Sequence, residues 1–266
     1  MFILSVFAHP AIAASPKIAG GMAYTIHLKS DGTLWAWGSN DDGELGDGTT
    51  TNRSSPVQVG TDNKWVSVAA GPVHTLGLKV DGTLWAWGYN VDGQLGDGTT
   101  TNRSSPVQVG TDNKWLSLAA GDSYSIGLKA DGTLWAWGFN LDGELGDGTT
   151  TNRSSPVQVG TDNKWVAVAA GYYHTLGLKS DGTPWAWGWN PSGQLGDGTT
   201  STRKFPVKVG VAPVCDFNGD DMPDLLWQHQ SGSLGAWLMN GTTMTSPVWL
   251  TPNQVADTNW KIVGPK

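Results

Sequence analysis

The sequence predicts an all-β protein: four four-stranded blades of a β-propeller, closed or left as an open arc, followed by one β unit of a different kind. Three observations carry this. The stretch Asp81-Gly82-Thr83-Leu84-Trp85-Ala86-Trp87-Gly88 has counterparts beginning at Asp31, Asp131 and Asp181, so it returns every 50 residues. Glycine supplies 37 of the 266 residues and charged side chains only 15%, and nowhere does the 3.6-residue period of an amphipathic helix emerge. The 21 residues from Leu45 to Trp65 also recur unchanged at Leu95 to Trp115 and Leu145 to Trp165, which marks an array of repeated units.

In chain order, residues 1–14 read as a leader. Phe2 to Phe7 is apolar and Ala11-Ile12-Ala13 is a small-x-small cleavage pattern, although the basic residues that normally precede such a run are missing. A cleaved signal peptide implies a secreted or cell-surface protein; the other readings are a first strand or a start codon assigned in the wrong place. No apolar run approaches the roughly 18 residues of a membrane-spanning helix. The one cysteine, Cys215, excludes an intrachain disulfide.

Residues 15–210 hold the four repeats. In the second, strands are expected at Trp65 to Ala70, His74 to Lys79, Thr83 to Gly88 and Pro106 to Val109. Asp81-Gly82 reads as a two-residue type I′ hairpin turn. In the strand that follows, Trp85 and Trp87 share one face while Leu84 and Ala86 share the other, so both faces of the sheet must be covered. Sheets covered on both faces and repeated at fixed spacing stack on one another, and four antiparallel strands per unit is a propeller blade.

The residues also carry a family resemblance. The pattern Ala-Ala-Gly-x-x-His-Thr-Leu-Gly-Leu-Lys, then Asp-Gly-Thr-Leu-Trp-Ala-Trp-Gly-x-Asn, then Gly-Gln-Leu-Gly-Asp-Gly-Thr resembles the regulator of chromosome condensation repeat. That resemblance implies a β-propeller, usually of seven blades. Four repeats leave three outcomes: a four-bladed ring, an open arc with exposed blade faces, or completion by the C-terminal segment or by another chain. The open arc is the expectation here, and self-association is one way of covering its faces.

Residues 211–266 depart from the repeat. Asp216, Asn218, Asp220 and Asp224, with the backbone carbonyl of Met222, have the spacing of a loop that wraps one hard cation. With Leu225-Leu226-Trp227 and Gly235-Ala236-Trp237, this loop resembles the FG-GAP repeat of integrin-type propellers, which implies one bound calcium ion. The alternative is a solvated Asp-rich turn without metal.

Candidates for chemistry are few. His74 and His174 occupy equivalent positions, but Tyr24 and Tyr124 fill the same place in the other repeats, which suits a packed, hydrogen-bonded ring better than a catalytic base. His9, His27 and His229 have no partner at triad or metal-ligand spacing, and Cys215 has no basic neighbour in sequence to activate it. The Leu-Gly-Asp-Gly-Thr loops at Asp47, Asp97, Asp147 and Asp197 lack the P-loop ending and the spaced acids of an EF-hand, leaving turn chemistry. Asn52, Asn102, Asn152 and Asn240 head Asn-x-Ser/Thr sequons, relevant only in a host that glycosylates. Twelve of the 16 tryptophans lie in the repeats, where core packing accounts for them.

The informative positions are those where near-identical repeats disagree. After Trp-Gly they read Ser39, Tyr89, Phe139 and Trp189, and two residues later Asp41, Val91, Leu141 and Pro191; before the His/Tyr position they read Met22-Ala23, Pro72-Val73, Asp122-Ser123 and Tyr172-Tyr173. Antiparallel connectivity places both sets on the rim opposite the Asp-Gly hairpins. Tyr89, Val91, Asp122, Phe139, Leu141, Tyr172, Tyr173 and Trp189 are therefore the expected partner-binding residues, with drift at exposed loops as the alternative.

The net charge of −7 and the scattered Lys and Arg argue against a nucleic-acid partner. The expected role is a non-catalytic binding module for another protein, as in the propeller-type β-lactamase inhibitor proteins that the repeat also resembles. Two other classes stay open: a glycan-binding module using the same aromatic rim, and a guanine-nucleotide exchange factor, implied by the nuclear members of the family.

Overall fold

The structure is a computed structural model that describes Ser15, residues 17–210 and, as strand backbone, three segments between Leu225 and Leu250. The first blade is β1 (Lys17–Gly20), β2 (Tyr24–Leu28), β3 (Leu34–Gly38) and β4 (Arg53–Gln58). The second is β5 (Trp65–Ala70), β6 (His74–Lys79), β7 (Leu84–Gly88) and β8 (Arg103–Gln108). β9 (Trp115–Ala120), β10 (Tyr124–Lys129), β11 (Leu134–Gly138) and β12 (Arg153–Gln158) make the third, and β13 (Trp165–Ala170), β14 (His174–Lys179), β15 (Pro184–Gly188) and β16 (Arg203–Lys208) the fourth. Each is an antiparallel meander in simple sequence order. The first strands, β1, β5, β9 and β13, lie next to one another at the centre of the array. Beyond Gly210, β17 (Leu225–Gln228), β18 (Leu234–Asn240) and β19 (Thr243–Leu250) pair as a three-stranded antiparallel sheet.

Two local expectations need correction. The hairpin is not a two-residue turn: Lys79 N donates to Thr83 O and Gly82 N to Lys79 O, the pattern of a three-residue loop closed by a left-handed glycine, with Gly82 at φ 80°. Asp81 stabilises that loop by accepting from both Thr83 N and Thr83 Oγ1. The fourth strand spans Arg103–Gln108 rather than Pro106 to Val109, because Gly88 pairs with Arg103 across an irregularity that follows Ala86↔Val107. Gly88, at φ 101°, sits where a Cβ would meet the Val73 carbonyl oxygen at 2.7 Å.

The core lies between blades rather than within them. Leu76, Leu78, Leu84 and Ala86 of the second blade pack on Trp115 and Trp137 of the third. Tyr24, Ile26 and Leu28 of the first meet Trp65, Val68 and Trp87 of the second, and Tyr124, Ile126 and Leu128 of the third meet Trp165 and Trp187 of the fourth. Every blade thus has an aliphatic face directed forward along the chain and a tryptophan face directed back. Lysine ammonium groups finish the tryptophan faces: Lys79 Nζ lies 3.7 Å from the Trp85 ring centroid and 2.6 Å from Asp62.

The four blades form an open arc. Leu176 and Leu178, on the forward face of the fourth blade, are 39% and 38% exposed, whereas their counterparts Leu76 and Leu78 are buried. At the other end Ile18 is 66% exposed where Val68 is fully covered.

Candidate functional site

Each seam between blades is locked by one set of polar contacts. At the first, the Tyr24 hydroxyl donates to His74 O at 2.6 Å, while Thr75 Oγ1 and Trp87 Nε1 both donate to Glu44 O. The third repeats this with Tyr124, His174 O, Thr175, Trp187 and Glu144 O. The second seam uses histidine: Ser125 Oγ gives its proton to Gln94 O, so His74 Nε2, 3.0 Å away, is the donor to Ser125 and the ring is the neutral Nε2–H tautomer. Burial lowers the His74 pKa to about 4. With Nε2 engaged and Nδ1 buried without a hydrogen-bond partner, the ring has no access to substrate, which agrees with a packing role.

The Leu-Gly-Asp-Gly-Thr loops are built the same way. Asp47 accepts from Thr49 N and Thr49 Oγ1 through one oxygen and pairs with Arg53 through the other, while Asn40 Nδ2 ties down Thr49 O and Thr51 O. The sequence reading had the turn but missed its Arg53 and Asn40 partners, six and seven residues from Asp47. The sequon residues are engaged as well, since Asn102 and Asn152 donate to Asp42 and Asp92 of the preceding blade.

The rim opposite the hairpins is where the repeats differ. The residue after Trp-Gly always donates its N–H to the residue before the His/Tyr position: Tyr89 to Val73, Phe139 to Ser123, Trp189 to Tyr173. Both divergent sets therefore occupy one edge. Four of the rings touch. Tyr173 lies 6.2 Å from Phe139, 4.5 Å from Tyr172 and 6.2 Å from Trp189, centroid to centroid. Tyr172 and Trp189 remain 54% and 38% exposed within this cluster. Val91 and Leu141 are exposed on the same edge, and Tyr89 is half-buried there without joining the stacked rings.

Carboxylates border the aromatics. The Asp122 carboxylate near Tyr172 pushes the phenol pKa up, and Asp92 is raised by burial and then by the charge of Asp122. Asp41, Asp42 and Asp142 lie on neighbouring loops of the same edge, whereas the lysines that follow the outer strands and those in the hairpin strands lie at the opposite rim. Tyr172 also helps line a depression of about 320 Å³ with Gly21, Met22, Gly71 and Pro72 of the first two blades. Among the described residues, no group of three or more His, Cys, Asp or Glu is placed to hold a metal, and no helix is long and apolar enough to cross a membrane. The expected calcium ligands Asp216, Asn218, Asp220, Met222 and Asp224, like the leader, lie outside the described residues.

Stacked four-stranded blades, whose repeats carry divergent aromatic side chains at one rim and vary in the hairpin loops only through Ser30, Val80, Ala130 and Ser180, define a repeat-built β-propeller protein. The RCC1-like domain model matches residues 6–232, and the chain belongs to that family. Human WBSCR16 is similar in structure, with TM-score 0.66 and 24% identity over 76% of this chain and 55% of that one. Yeast RCC1 (Prp20), solved with Kap60, gives TM-score 0.64 and 23% identity over 83% of this chain and 55% of that one. The chain thus spans about half the length of these solved relatives. Ultraviolet-B receptor UVR8 of Arabidopsis thaliana is 46% identical over 43 residues, 16% of this chain and 10% of UVR8.

Proposed function

We propose that this chain is a non-catalytic recognition module that grips a basic, apolar-flanked segment of another protein on its variable rim. The observation that carries the reading is the contact cluster of Phe139, Tyr172, Tyr173 and Trp189, partly exposed and bordered by Asp92 and Asp122. Rings already held against one another lose little freedom on binding, and carboxylates at their edge favour a cationic partner. The arginines of this rim are paired with Asp47, Asp97, Asp147 and Asp197, and Asp41, Asp42, Asp92, Asp122 and Asp142 outnumber the exposed Lys204, so the rim's net charge is negative. The apolar leader Phe2 to Phe7 supports a secreted or cell-surface setting, testable by fractionation of the expressing cell.

Panning a displayed random-peptide library on the purified chain tests the rim. Enrichment of Lys/Arg-containing peptides with aliphatic or aromatic neighbours is expected, and loss of that enrichment when Phe139, Tyr172 and Trp189 are replaced by serine. No enrichment, or peptides retained equally by the triple variant, would overturn the reading. A glycan array that binds the same rings would replace it with the carbohydrate alternative.

A further inference from the structure

We propose that a second copy of this chain covers the open faces, the fourth blade of one copy receiving the first blade of the other. The two ends are the two halves of a joint that the chain forms three times internally. The forward face of the fourth blade displays Leu176, Leu178 and Pro184 to solvent. In the second blade the corresponding Leu76, Leu78 and Leu84 are closed over by the tryptophans of the next blade. The backward face of the first blade displays Ile18 and leaves Trp37 partly open, where Val68 and Trp87 are buried against the blade before.

The polar atoms match in the same way. At each internal seam a hydroxyl and an indole N–H converge on one carbonyl, as Ser125 and Trp137 do on Gln94 O. On the first blade Thr25 and Trp37 hold the donors of such a set, and on the fourth blade Gln194 stands at the carbonyl position. Neither half finds its mate among the described residues. His174 occupies the position from which His74 reaches the hydroxyl of Ser125, and Thr25 is the hydroxyl it would meet. One more internal contact has both halves at the ends: Gly98 N donates to Ser154 O, which corresponds to Gly198 and Ser54.

The first blade differs from the others at one point that fits this joint. In the second blade a Cβ on Gly77 would strike the Trp65 ring at 2.5 Å, so tryptophan and glycine go together. The first blade has Ser15 in place of that tryptophan and His27 in place of the glycine, so the missing indole and the added side chain go together. After Gly210 a tryptophan, Trp237, returns at the repeat's spacing, but Leu225 stands where the hydroxyl residue would be, whereas the first blade retains both members of the pair as Thr25 and Trp37. Each joint uses different faces of the two copies, and a two-fold axis relates the two joints of the pair.

Light scattering on the full chain across a hundredfold concentration range tests this. A mass of two chains is expected at the upper end. L176D/L178D, which spoils the forward face, and I18D/W37E, which spoils the backward face, should each be monomeric with unchanged far-ultraviolet circular dichroism. Mixed together they retain one intact joint and should recover the two-chain mass. A wild-type monomer throughout, a dimer that survives either variant, or a mixture that stays monomeric would overturn the proposal. So would wild-type amides of β14 that exchange slowly at dilutions where the chain is monomeric, since the chain's own C-terminal segment would then be the cover. None of these outcomes depends on whether the rim binds peptides.

Discussion

The hydroxyl of Tyr24 donates to the backbone carbonyl of His74, 2.6 Å away on the next blade. Burial holds this phenol far above the usual tyrosine range, so it remains a donor at any pH the fold survives. Tyr24→Phe keeps the ring and removes the donor, leaving a buried carbonyl less well satisfied. The expected loss is about 1 to 2 kcal/mol, read as a shift in the urea midpoint, and Tyr124→Phe should match it at the third seam.

His74 makes stability depend on acid. Above pH 6.5 the ring is neutral in both states; below it the unfolded chain gains a proton that the buried ring resists down to about pH 4. The His74 contribution to stability is therefore lost as pH drops through that interval, by about 3 kcal/mol when complete. Replacing His74 by Tyr together with Ser125 by Thr recreates the first seam and should remove this component, so that between pH 6.5 and 5 the variant loses less stability on acidification than wild type. A curve with the wild-type slope would remove His74 as its cause.

Glu144 acts with the opposite sign. Burial raises its pKa from 4.5 to about 7, and Oε1 has no hydrogen-bond partner. The folded chain keeps this proton over a range in which the unfolded chain has lost it, so the Glu144 contribution to stability declines as pH rises from 4.5 to about 7. Gln94 and Gln194 stand at the same repeat position. Glu144→Gln should be more stable than wild type at pH 8 and lose that advantage at pH 4, measured by thermal melts at both.

Gly77 leaves room for Trp65, whose Cζ3 atom lies 2.5 Å from where a Cβ would stand. Gly77→Ala should cost about 1 to 3 kcal/mol by overpacking. In the first blade the same position is His27 with no tryptophan opposite, so His27→Ala should change stability by less than about 1 kcal/mol in denaturant titration.

The Asp216 to Asp224 loop is expected to bind one calcium ion. Titration calorimetry should give one site per chain, abolished in D216A/D220A, and a chelator should lower the melting temperature of the C-terminal segment. No heat of binding would make the loop a solvated turn.

The blades were legible because their causes are local. Alternation in Leu84-Trp85-Ala86-Trp87 sets two apolar faces, and strand direction alone puts Tyr89 and Pro72 on one edge. The seam network was not legible: Tyr24 and Thr75 are 51 residues apart, and neither residue type announces its partner. The start of the fourth strand was hidden in Arg103-Ser104-Ser105, whose polarity resembles a loop; the irregular pairing of Gly88 with Arg103 is a property of the neighbouring strand. The hairpin size failed for a related reason, since Asp-Gly fits a two-residue turn until Thr83 is seen to pair with Lys79. At the rim, the variable positions could be listed from sequence, but the contact of Tyr173 with three other rings needed coordinates.

Because each blade is stabilised chiefly by the one before and the one after, disorder in a single dissociated copy should advance from the termini inward. The fourth blade, with a tryptophan seam on one side and bare leucines on the other, is where melting should begin. Such a chain loses structure directionally, as a zipper does, and its middle seam is the last to let go.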